Sequence, residues 1–96
     1  MTDKYILDGH NAIPCDDILK WTQWLENSER YVANDEKNGI RVSTVFLGFD
    51  HSFLKSQPSL FETLVFGGEH DGDMQRYATW EEAEQGHKKM CNIVFV

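Results

Sequence analysis

The sequence predicts an α+β fold, a small antiparallel sheet of about four strands packed against two helices in the order β-α-β-β-α-β. Three observations carry this reading. Residues 40–49, IRVSTVFLGF, and 60–67, LFETLVFG, are rich in β-branched and aromatic side chains. Residues 18–32 place apolar groups at helical spacing, and TWEEAEQGHKKM (79–90) opens with a helix-start signal. With 96 residues, 41% apolar and 12% aromatic, residues 1–96 read as one domain with one core.

Lys4–Leu7 reads as a short strand, Asp8-Gly9-His10-Asn11 as a turn, and the next residues as a brief returning strand before Pro14. Asp16 or Asp17 can then accept from the free N–H groups that begin a helix. Ile18, Trp21, Leu25 and Val32 follow at spacings of three, four and seven, which predicts a helix over about 17–33. NDEKNG (34–39) ends it at the turn signal Asn38-Gly39. The two β-rich runs come next, joined by the loop DHSFLKSQPS (50–59), and sequence neighbours joined this way are expected to pair antiparallel. Large apolar groups on both strand faces predict helices over one side of the sheet, with partial cover or a partner over the other.

GGEHDGDMQ (67–75) reads as a glycine- and acid-rich loop. Thr79 with Glu82 has capping-box spacing, acids lie early and His87, Lys88 and Lys89 late, so a helix is expected over about 80–90. NIVFV (92–96) closes the chain as a short strand. This element order matches the ferredoxin-like sequence of elements without establishing the topology.

The net charge is −7, and residues 57–87 hold seven acids against Arg76 alone. Such a chain has little attraction for phosphate backbones, so direct nucleic-acid binding is not expected. A basic or nucleic-acid-binding protein partner is compatible with this charge, and so is polyanion mimicry by Glu69, Asp71, Asp73, Glu81, Glu82 and Glu84. No run approaches the roughly 18 apolar residues of a membrane span, and MTDKYILDGH has no signal-peptide core. A cytoplasmic protein is expected, with Cys15 and Cys91 as small packed side chains rather than a disulfide.

Asp50-His51, at the end of the first long strand, is the best-placed polar pair. Antiparallel pairing would bring it near Glu62, and two carboxylates with an imidazole could hold a divalent metal, bind a nucleotide or act as acid and base. The alternative is that Asp50 caps the loop and His51 packs against it. No HxH, HExxH, calcium-loop or phosphate-cradle pattern is present, so neither cofactor nor metal is assigned. His87 is expected to sit at the dipole's negative end or to pack on the sheet. Trp21 and Trp80 are assigned to the core, Trp24 and Tyr77 to a surface patch or dimer contact.

YILDG, PCDD, VSTVFLGFDHSF, LFETLVFGG and RYATWEEAEQGH together resemble a family of small proteins of bacteriophages, prophages and bacterial chromosomes. Relatives read VSTVFLGxDH, LFETxVFGG and RYxTWxEAExGH, and Phe49 and Leu64 stand where they carry other apolar residues. The resemblance spans roughly residues 5–90. It implies an origin and a motif set rather than a reaction, and so a small accessory protein acting on host machinery or host defence. The expected function is non-catalytic binding of a host or host-defence protein, as a monomer or a homodimer, through a surface including Asp50, His51, Glu62, Trp24, Tyr77, Glu81 and Glu84. A small nucleotide- or metal-binding domain or enzyme using Asp50, His51 and Glu62, or a DNA-mimic inhibitor, are the alternatives.

Overall fold

The structure, a computed structural model, describes residues 2–52 and 57–96. The chain opens with a hairpin of β1 (Tyr5–Asp8) and β2 (Asn11–Pro14), turned at Gly9 with φ 62°. Helix α1 (Ile18–Asn27) starts where the Asp17 carboxylate accepts from the N–H groups of Leu19 and Lys20 at 3.1 and 3.2 Å. β3 (Tyr31–Lys37) follows and turns back at Asn38-Gly39 into β4 (Ile40–Phe46). Both turn residues have positive φ, 54° and 80°, the backbone of the two-residue hairpin that Asn-Gly favours. β5 (Phe61–Phe66), β6 (Met74–Tyr77) and helix α2 (Trp80–Val94) complete the chain.

β3-β4-β5-β6 form one antiparallel meander. Val42, Thr44 and Phe46 face Val65, Thr63 and Phe61 across the central strand pair, all at most 1% exposed. These six side chains form the floor on which α2 lies, and Phe46, Leu60, Phe61 and Ala83 make the core cluster with Trp24, Trp80, Tyr77 and the β1–β2 hairpin around it. On the opposite face no helix among the described residues is packed over Phe66 and Met74, which stay 39% and 46% exposed. α1 buries no residue fully. It is pinned by the Trp21 indole N–H, which donates to Gly48 O at 2.8 Å, and by the edge of Trp24 against Phe46.

The α+β class, the first hairpin, the Asp17 cap, the β4–β5 pairing and the Thr79–Glu82 capping box match expectation. Three assignments are corrected. The first helix ends at Asn27 instead of residue 33, because Tyr31–Lys37 pairs with β4 as an edge strand. Met74 and Gln75, expected at the end of a loop, instead join Arg76 and Tyr77 in a strand that pairs with β5. NIVFV is no strand: α2 runs through Val94, since Ala83, His87, Cys91 and Val94 continue one helical stripe. The sheet is therefore a meander, without ferredoxin-like crossovers. Of the loop expected over 50–59, residues 53–56 lie outside the described residues.

Candidate functional site

Two threonines interrupt the apolar floor at matching register positions, Thr44 opposite Thr63. Buried hydroxyls need partners, and they find them in each other, with their oxygens 2.6 Å apart. From Thr44 the chain of bonds continues to His87 Nδ1 at 2.7 Å, and His87 Nε2 reaches Asp35 Oδ2 at 2.7 Å. From Thr63 it continues the other way, where the Tyr77 hydroxyl donates at 3.1 Å. Five side chains from β3, β4, β5, β6 and α2 thus form one relay across the sheet under the helix. With His87 as the Nε2–H tautomer, each proton has an acceptor: Tyr77 to Thr63, Thr63 to Thr44, Thr44 to Nδ1, and Nε2 to Asp35.

Gly86 explains how Tyr77 fits. A Cβ on Gly86 would overlap the Tyr77 ring, so a residue that costs about 1 kcal/mol in a helix interior is what lets the ring pass beneath α2. Burial raises the Tyr77 pKa above its ordinary value, partly offset by the bond to Thr63, so its hydroxyl is a donor at neutral pH. At the far end, the Cys91 thiol donates to Asp35 Oδ2 at 3.8 Å. Burial, the charge of Asp35 and that bond push the thiol up to about 11, which keeps it from being a free thiolate.

Tyr77 also walls a cleft of about 620 Å³ between β6 and α2, bordered by Gln75, Arg76, Gly86, Lys89, Met90 and Ile93. β6 is an edge strand. Its hairpin closes with a bulge at Gly72, where Gly72 N–H donates to Val65 O and Val65 N–H donates to Asp73 O. Counting on from that pair, Gln75 and Tyr77 bond to β5, and the N–H and C=O groups of Met74 and Arg76 point outward.

The residues singled out from the sequence scatter. Asp50 accepts from the Ser52 and Ser59 N–H groups at 2.8 and 2.9 Å and ties the loop. Burial alone would raise its pKa, but bonds from Ser52 and Ser59 and the nearby His51 hold it below the usual value. His51 packs edge-on against Phe49, and its backbone N–H donates to Ser59 O. Glu62 lies in register between Val45 and Arg76, on the sheet face away from α2. Trp24 meets Phe46 in the core periphery, while Glu81 and Glu84 are exposed on α2. Of the seven, only Tyr77 joins the relay. Asp35, Thr44, Thr63 and Cys91 were missed; the one signal for them in the sequence is a threonine inside each of two apolar strands.

No family model, curated protein or solved structure matches the chain. No helix among the described residues is long and apolar enough to cross a membrane.

Proposed function

We propose that this is a phage-type accessory protein that binds without catalysis, taking an extended, acid-bearing segment of a host or host-defence protein into the cleft between β6 and α2. The observation that carries this reading is the edge of β6, which no strand among the described residues pairs, beside an open, partly apolar groove. An incoming strand would bond to the outward N–H and C=O groups of Met74 and Arg76 and lay alternate side chains against Met90 and Ile93. Lys89 borders the cleft on α2 and Arg76 stands on the β6 edge, its side chain by register on the face with Glu62, so a segment crossing that edge passes both cations. That favours carboxylates on the segment.

Binding fits the relay better than catalysis does. Thr44 and Thr63 are fully buried, so a substrate cannot reach their hydroxyls. Polyanion mimicry has less support. Asp71 accepts from Gly67 N–H, Asp73 bonds His70 and Glu82 closes the capping box, which commits half of the six acids internally.

The test is selection from a displayed library of random peptides. Enriched peptides should alternate apolar residues with Asp or Glu. Their affinity should fall about tenfold or more, roughly 1.4 kcal/mol, on Lys89→Glu or on Met74→Pro, which removes one outward N–H. Failure to enrich, or affinity indifferent to both substitutions, rejects the reading.

A further inference from the structure

At the end of the relay opposite the cleft, three different ligand types converge. Asp35 Oδ2, His87 Nε2 and Cys91 Sγ all lie within 4.8 Å of one another. They come from β3 and from one face of α2, where His87 and Cys91 are a helical turn apart. We infer that Asp35, His87 and Cys91 form a binding site for a divalent transition ion of the zinc class, with a fourth position open to solvent.

The geometry is close to what such an ion requires. Bonds of about 2.0–2.3 Å at tetrahedral angles separate ligand atoms by roughly 3.3–3.6 Å. The sulfur stands 3.8 Å from the carboxylate oxygen, within a few tenths of that separation. The imidazole nitrogen stands 2.7 Å from the same oxygen, so that gap must widen by about 0.6 Å. The side chain that has to move is the one that can: Asp35 is 61% exposed, whereas the His87 side chain is 4% exposed. One nitrogen, one sulfur and one oxygen suit zinc and its neighbours and disfavour magnesium and calcium, which take oxygen donors.

The relay supplies what a metal-bound histidine characteristically has, a partner for its other nitrogen. Binding at Nε2 uses that nitrogen's lone pair and places the ring proton on Nδ1. Nδ1–H then donates to Thr44 Oγ1, 2.7 Å away, the Thr44 proton turns to Thr63 at 2.6 Å, and the Thr63 proton turns to the Tyr77 oxygen at 3.1 Å, freeing the Tyr77 hydroxyl to donate toward the cleft it walls. The same hydroxyls serve both tautomers, so the metal-free chain satisfies the ring without blocking the ion.

Cobalt(II) chloride titrated into the intact protein under reducing conditions tests the site. One equivalent should bind, giving visible bands of tetrahedral cobalt and a near-ultraviolet sulfur-to-cobalt charge-transfer band. Cys91→Ser should abolish the charge-transfer band, while Cys15→Ser should leave it intact. Asp35→Asn and Thr44→Val should weaken binding about 10-fold or more, with circular dichroism confirming that each variant is folded. In zinc titrations, nitrogen NMR should show the His87 ring proton shift from Nε2 to Nδ1. Absence of the charge-transfer band, its survival in Cys91→Ser, or an unchanged His87 tautomer overturns the assignment.

Discussion

The molecule holds two aspartate–histidine pairs of opposite construction. Asp50 and His51 are adjacent in the chain and do separate things, Asp50 tying a loop and His51 lying against Phe49. Asp35 and His87 are 52 residues apart and share a 2.7 Å bond that ends a five-residue relay. Adjacent side chains on an extended backbone point to opposite sides, so neighbouring residues are poorly placed to act on one target. Strand register and a docked helix can bring distant groups onto one line, and here they do.

Three substitutions break or sharpen this contrast. The largest effect is expected for His87→Ala, which opens a cavity beneath α2 and removes the acceptor of the Thr44 proton and the donor to Asp35; a loss of about 3 kcal/mol or more in urea unfolding is expected. A loss under 1 kcal/mol would mean that the relay contributes little to holding helix and sheet together. Gly86→Ala comes next. Helix propensity alone predicts a gain of about 1 kcal/mol, but the new methyl must displace the Tyr77 ring, so a net loss of about 1–3 kcal/mol is expected. Net stabilisation would show that Tyr77 does not need its place under the helix.

The smallest effect belongs to the adjacent pair. Asp50→Ala removes acceptors for two loop N–H groups and should cost about 1 kcal/mol, the scale of a lost cap. Its pH signature has a defined sign. Because the folded pKa lies below 3.8, the stabilisation is present above that value and is lost as pH falls through the folded one. Stability curves of the parent and Asp50→Ala should therefore converge in acid. Curves that stay parallel would remove Asp50 from the account.

The parts of the fold legible in the sequence are those with local physics. Asp17 and the Thr79–Glu82 box announce helix starts, Asn38-Gly39 announces a turn, and β4 and β5 carry dense β-branched and aromatic runs. The edge strands were not legible. YVANDEK and MQRY bury little, so selection for the sheet leaves few apolar residues in them, and Val32 sits seven residues after Leu25, in phase with the preceding helix. The run NIVFV is ambiguous by itself, and only its phase with Ala83 and His87 makes it helical. The candidate site was least legible of all. Asp35 lies in a polar stretch with nothing to distinguish it, and only the pairing of Asp35 with Val42, beside Thr44, aims it at His87.

The meander also bears on how quickly the chain finds its shape. Each strand of the large sheet pairs with its neighbour in sequence, so the sheet can grow hairpin by hairpin with short loop closures. Such local topologies fold fast. The docking of α2 across the finished sheet spans far longer separations, 43 residues from Thr44 to His87 and 52 from Asp35 to His87. That closure is the entropically expensive event of assembly, and the relay forms only once it is complete.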